Sequence, residues 1–225
     1  MRRGADPDRA GTPDRSPSDP HVTHVNVATP RPKMVGNRVV DTAIDKYPSD
    51  GRVEVGMDGL VTDQVGDTVH HGGNEQALYA FAGEDYDHWE RELGRALRPG
   101  LFGENLTTRG IDVNAALIGE PWRIGTVTVE VSGPRIPCAT FGAQVGEKGW
   151  PRRFGALDRT GAYLRVLDVG AIAAGDRIEV IDRPDHDDTV SDVHRIHRRD
   201  RDEAARLVGL PGLVSPMADW AARHS

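Results

Sequence analysis

Hydrophobic positions begin late in this chain and recur mostly with period two. Residues 1–20 are almost entirely Arg, Asp, Gly, Pro, Ser and Thr, with too little apolar surface to offset the entropy of ordering, so a disordered tail is expected there. The first alternation is His21-Val22-Thr23-His24-Val25-Asn26-Val27, valines interleaved with polar residues as on a half-buried strand. A polar, proline-containing stretch follows and predicts no element. Val53 and Val55 mark another short strand, and Gly56, Asp58 and Gly59 a turn into Leu60-Val61-Thr62-Asp63-Gln64. Short strands at this spacing predict a sandwich or barrel rather than a parallel α/β sheet.

The period changes beyond Gly83. Tyr86, Trp89 and Leu93 recur as i, i+3 and i+7, acids crowd the first turn, and Gly94 stands where a helix C′ glycine belongs. One amphipathic helix laid on the barrel is predicted. The segment 101–110 reads as a polar loop in which Asn105, Thr107 and Thr108 either cap turns or face a ligand. Thr126-Val127-Thr128-Val129-Glu130-Val131 is a clear strand. No element is fixed for 141–158. Residues 161–167 and 176–181 read as two closing strands joined by a turn at Gly175. In the tail, Val190, Val193 and Ile196 predict one short helix, Ala204, Leu207 and Val208 a second, and Ser215-Pro216 the start of a third. His194 and His197 are assigned to its solvated face. The expected organisation is a mostly β (α+β) domain over 21–184 and a small helical appendage over 185–225.

Composition narrows the class. Hydrophobic residues make up 37% and charged residues 28% of the 225, ordinary for a soluble chain, whereas 26 glycines and 15 prolines imply many turns. The net charge of −7 argues against general nucleic-acid affinity but permits a local basic pocket. A single cysteine excludes an intrachain disulfide and any zinc site of several thiolates. No apolar run approaches membrane-spanning length and no signal peptide is recognised, so the cytoplasm is the expected location.

The lone cysteine lies in Gly133-Pro134-Arg135-Ile136-Pro137-Cys138, directly after the clearest strand. Its prolines restrict the backbone on both sides of Arg135 and Ile136, and a guanidinium that approaches the sulfur favours the thiolate, the form that attacks electrophiles and ligates metals. A lone free cysteine also serves commonly as a small buried hydrophobe, and the hexapeptide alone leaves both readings open. Upstream, His70-His71-Gly72-Gly73 precedes an apolar run; the glycines permit close backbone approach. Adjacent histidines on an extended chain point in opposite directions, which disfavours a shared metal.

Three segments stand together in order and spacing: His71-Gly72-Gly73 with Ala77 downstream, Phe102-Gly103-Glu104-Asn105-Leu106-Thr107, and Pro134-Arg135-Ile136-Pro137-Cys138. They resemble the MOSC domain, the module shared by the C-terminal part of molybdenum-cofactor sulfurases, the mitochondrial amidoxime-reducing component and the bacterial YiiM type, of which the last is most similar. The resemblance implies a β-barrel with a packed helix that binds molybdenum cofactor (molybdopterin). It makes Cys138 the catalytic residue and molybdenum ligand, with His71, Gly72, Gly73, Asn105, Thr107 and Arg135 around the pterin and its phosphate. It further implies reduction of N-hydroxylated compounds such as hydroxylaminopurine-like bases. Electrons would come from a separate reductase, because neither a Rossmann glycine fingerprint nor cysteines for an iron–sulfur cluster are present. The alternative is a carrier of sulfide, as a persulfide, or of the cofactor, without turnover. Neither nucleic acid nor membrane is an expected partner, and a homodimer is left open. Thr62 before Asp63, and Val69-His70 before the glycine pair, depart from the family pattern.

Overall fold

The computed structural model of the protein describes residues 19–63 and 74–225. The expected tail over 1–20, apart from Asp19 and Pro20, lies outside the described residues, as do His71, Gly72 and Gly73. Strand β1 (His21–Val27) is followed by β2 (Arg31–Val35), β3 (Arg38–Thr42), β4 (Tyr47–Pro48), β5 (Arg52–Gly56) and β6 (Gly59–Leu60). After a 3-10 turn at Asn74–Gln76 come β7 (Leu78–Ala82), helix α1 (Gly83–Leu93), β8 (Leu106–Arg109), β9 (Pro121–Ile124) and β10 (Val127–Pro134). Two short helices, α2 (Ala139–Val145) and α3 (Trp150–Gly155), precede β11 (Ala162–Asp168), β12 (Gly170–Ala173) and β13 (Ile178–Val180). The tail contains α4 (Val190–Arg198), a 3-10 segment at Arg201–Leu207 and α5 (Ser215–His224).

Eight strands form one sheet in the order β13-β9-β10-β11-β7-β8-β1-β4, and β12-β5-β6 form a second. The large sheet curls so that β1, next to one end, approaches the segment before β13 at the other: a bridge joins His21 to Arg177, supported by Val22 N–H to Asp176 O at 2.9 Å and Ile178 N–H to Pro20 O at 2.9 Å. The result is a barrel-like α+β fold that is not fully closed. Among the described strands only β7 and β8 pair in parallel, and α1 is the crossover that parallel neighbours require. Its C-terminus is closed by Gly94 in the left-handed conformation, φ 63°.

Strand β7 sets the layers. All five of its residues are buried, so its alternation serves two cores rather than one core and solvent. Leu78, Ala80 and Ala82 enter the barrel cluster with Val129, Val131 and Leu164, while Tyr79 and Phe81 enter an aromatic cluster beneath α1, α2 and α3. Phe102 lies at the centre of the latter, stacked on Tyr86 at 4.6 Å and in edge contact with Phe81 at 5.2 Å and Phe154 at 5.4 Å. Edge-to-face pairs align the positive rim of one ring with the negative face of another and resist rotation of either.

Several expectations are corrected. The polar stretch after β1 forms the β2–β3 hairpin and β4, whose side chains are largely exposed. The polar loop 101–110 ends in a buried strand, β8. The two closing strands are not partners: β11 pairs with β10 and β7, β13 with β9, and β12 intervenes to pair with β5. The second tail segment is a 3-10 helix, and α5 begins at Ser215 with Val214 as its cap. The expected division at 184/185 is not among these corrections; tail residues Val193, Ile196, Leu207 and Ala221 belong to the same apolar cluster as the barrel strands. His194 is not solvated; its side chain is 2% exposed and its Nδ1 lies 2.8 Å from Asp158 Oδ1. Among the described residues no helix is long and apolar enough to cross a membrane.

Two consequences are measurable. Phe102→Ala should leave a cavity and lower unfolding free energy by about 3–5 kcal/mol in urea denaturation, the range for buried Phe truncations. Burial also holds the pKa of His194, His197 and His24 below the ordinary 6.5. As pH falls through 6.5 the unfolded chain therefore takes up protons first, and stability declines down to the folded-state values before levelling off. His194→Gln should flatten part of that decline in denaturation midpoints compared just above and below 6.5, leaving the share of His197 and His24.

Candidate functional site

The cysteine loop is placed by the end of β10. A register shift between Val131 and Gly133 bends this strand against β11, as bulges do where a chain must be re-aimed. Arg135 N–H then reaches Gly161 O at 3.3 Å, and its side chain turns inward. Arg135 is only 6% exposed. Its Nη1 donates to Phe102 O at 2.8 Å, and the guanidinium lies over the rings of Phe141 at 4.3 Å and Tyr79 at 5.0 Å. Among the described residues no carboxylate pairs with it and its Nε has no hydrogen-bond partner. A carbonyl and two aromatic faces hold this buried cation, and cation–π attraction offsets part of its desolvation.

Cys138 is the N-cap residue of α2, with extended backbone at φ −118° and ψ 174°. Its carbonyl accepts from Gly142 N–H at 3.1 Å. The side chain is partly exposed, rests on the aromatic cluster and faces a cleft of about 790 Å³ counting its open mouth. Arg135, Asn105, Tyr79, Tyr163 and Lys46 line the same cleft. Cys138 and Arg135 interact electrostatically, each charge favouring the other. Burial pushes the hydroxyls of Tyr79 and Tyr163 upward, Tyr79 strongly, so both stay protonated at neutral pH; Tyr79 donates to Thr160 O at 2.6 Å.

The opposite wall is tied by Asp63. Its Oδ1 accepts from Ala28 N–H at 2.8 Å, and its Oδ2 accepts from Asn105 Nδ2 at 2.7 Å and from Lys46 Nζ. Asn105 in turn accepts Tyr79 N–H on Oδ1 at 3.1 Å. Both side chains of the Lys46–Asp63 pair are under 10% exposed, and hydrogen bonds from the backbone and from Asn105 offset the cost of burying it. Lys46 and Asp63 were not foreseen as site residues. They stand 17 residues apart, and no short-range pattern links them.

Of the residues expected at the site, the structure brings together Cys138, Arg135 and Asn105. Thr107 stands behind the wall, accepting from Asn26 Nδ2 at 3.0 Å and donating to Glu104 Oε1 at 2.8 Å. His71, Gly72 and Gly73 lie outside the described residues, although Gln76 and Ala77, shortly after them, line the cleft. Glu104 is fully buried; Oε1 also accepts from Gly100 N–H at 2.6 Å and Tyr86 OH at 2.9 Å, while Oε2 has no partner among the described residues. Burial raises its pKa.

Residues 67–179 match the MOSC domain family, and the chain belongs to that family. It is 30% identical to the uncharacterised protein YflK of Bacillus subtilis over 197 residues, 88% of each chain. It is 31% identical to a protein named reductase from Gibberella moniliformis over 79% of this chain; the match spans 34% of that relative. The crystal structure of YiiM from Geobacillus stearothermophilus superposes with a TM-score of 0.77 at 26% identity, covering 91% of this chain and 98% of that one.

The Arg135 charge should be felt at the sulfur. Iodoacetamide should alkylate Cys138 in the folded protein, and Arg135→Met should slow the reaction at neutral pH roughly threefold to tenfold by lowering the thiolate fraction. Mass spectrometry of timed samples measures it, with circular dichroism as the folding control.

Proposed function

We propose that the protein is a molybdenum-cofactor-dependent reductase of N-hydroxylated compounds in which Cys138 ligates the molybdenum. The observation that carries this reading is the juxtaposition of a cleft-facing thiol with a buried guanidinium that no described carboxylate neutralises. Those residues fit the group. A thiolate is a soft donor suited to molybdenum, and an orphaned arginine donor suits an anionic, oxygen-rich pterin. When bound, the cofactor supplies two-electron chemistry at the N–O bond.

The chain's own residues hold and surround it. Arg135 would neutralise negative charge and keep Cys138 deprotonated. Lys46 adds a second cation, and its ion pair with Asp63 fixes Asn105 so that one cleft wall is preorganised. Protonated Tyr79 and Tyr163 exclude water from beneath the guanidinium. His71, Gly72 and Gly73 belong to the same proposal as pterin contacts through close backbone approach. The net conversion consumes two electrons and two protons, breaks the N–O bond and releases water and the amine. The electrons come from a separate redox protein. The Gibberella relative named reductase agrees with this class of reaction.

Protein purified from a cofactor-competent host should contain molybdenum near one atom per chain. It should reduce a hydroxylaminopurine with a chemical electron donor, and Cys138→Ser should lower turnover by at least about 100-fold while remaining folded. Folded protein without molybdenum would sink the proposal. Bound cofactor with no turnover in the parent would favour the carrier role.

A further inference from the structure

A second cavity, about 810 Å³ with its mouth, opens between β1, the β2–β3 hairpin and β4, and Thr42 lines both this cavity and the cysteine cleft. The two cavities adjoin at Thr42. Ala28, Asp45 and Thr62 line the outer cavity, whereas Lys46 and Asp63 line the inner one, and the Asp63 bond to Ala28 N–H crosses the divide. The outer cavity is basic in a chain of net charge −7. Arg31 and Lys33 alternate with Pro32 on β2 and so share one face of that strand. Among the described residues neither has an ion-pair partner. Among the described residues the one carboxylate lining the cavity, Asp45, is already engaged by Arg98 and accepts from Gln144 Nε2 at 2.7 Å. Thr42 Oγ1 accepts Ile44 N–H at 3.2 Å, which leaves its hydrogen to donate.

Two unpaired cations with a hydroxyl beside them match a phosphate monoester, which carries roughly −1.5 to −2 at neutral pH. We propose that Arg31 and Lys33 form a phosphate subsite that selects N-hydroxylated nucleotides over the nucleosides and free bases. The inference rests on the reductase reading for the base end of the ligand, in the cleft of Cys138. The phosphate end needs only the outer cavity. Both cations stand on a largely exposed hairpin, so their removal should leave the fold intact.

The test compares binding and turnover in the full chain purified from a cofactor-competent host. By titration calorimetry at low salt, adenosine 5′-monophosphate, a redox-inert probe, should bind about tenfold or more tightly than adenosine. The double variant Arg31→Ala/Lys33→Ala should bring the two probes to near parity with an unchanged thermal midpoint. In turnover of N6-hydroxyadenosine 5′-monophosphate the double variant should show KM raised by a similar factor, with KM for the nucleoside unaffected. Equal binding of the two probes by the parent, or a nucleotide advantage that survives in the double variant, overturns the subsite. Loss of molybdenum from the double variant without a change in nucleotide preference overturns it too, by assigning these cations to the cofactor's own phosphate. A nucleotide preference that disappears in the double variant, in protein that reduces neither hydroxylated substrate, upholds the subsite and defeats the reductase reading.

Discussion

The contact of the Arg135 guanidinium with the Phe102 carbonyl joins the parts of this molecule that sequence keeps apart. Arg135 arrives from the end of β10, Phe102 from the segment before β8, and the rings on which the guanidinium rests come from β7 and α2. The aromatic cluster beneath gives this contact its rigidity, since Phe102 cannot turn without disturbing Tyr86, Phe81 and Phe154. Burying a guanidinium that has no carboxylate partner among the described residues is costly, and cation–π attraction offsets only part of the cost. The arrangement is therefore the kind of local inconsistency expected where a fold has been shaped for binding rather than for stability.

β7 explains how a chain of this size supports both a barrel and a built cleft. Its two faces enter different clusters, so one strand transmits barrel curvature to the aromatic layer. Gly161 permits this closeness: with φ at 79°, a Cβ there would meet Ala80 O at 2.5 Å and the Tyr79 ring at 2.7 Å. The helical tail reinforces the far side. Its apolar residues continue the barrel core, and Glu75 links the two, accepting Ser215 N–H at 2.9 Å and pairing with Arg165.

Much of this was legible in the sequence where one face is dry and the other wet. β1, α1 and β10 announce themselves through valine alternation or the spacing of Tyr86, Trp89 and Leu93. The β2–β3 hairpin does not, because both of its faces are largely exposed and the alternation has no apolar half. β8 was hidden for the opposite reason: Thr107 and Thr108 are both buried although polar, and at Thr107 hydrogen bonds to Asn26 and Glu104 substitute for hydrophobicity. His194 shows the same limit, since a histidine on a charged helix looks solvated until Asp158 is brought to it from 36 residues away. At the site, the motif indicated Cys138, Arg135 and Asn105, which meet at one cleft. It did not separate them from Thr107, because hydroxyls that build a wall and hydroxyls that face a ligand are the same residue type.

Glu104 completes the electrostatic argument. It follows Gly103, at which a Cβ would come within 3.5 Å of Arg135 Nη1, so a carboxylate is available nearby in the chain to neutralise the guanidinium. The structure turns it the other way, toward Gly100 N–H, Tyr86 and Thr107. Burial raises its pKa, against the hydrogen bonds it accepts, which act to lower it. The glycine matters because a side chain at 103 would collide with Ile44 at 2.9 Å and displace the wall that carries Lys46. Fold and charge thus act together: the segment that supplies the carbonyl holding Arg135 also directs its own carboxyl away, and the arginine's charge remains directed at Cys138 and the cleft.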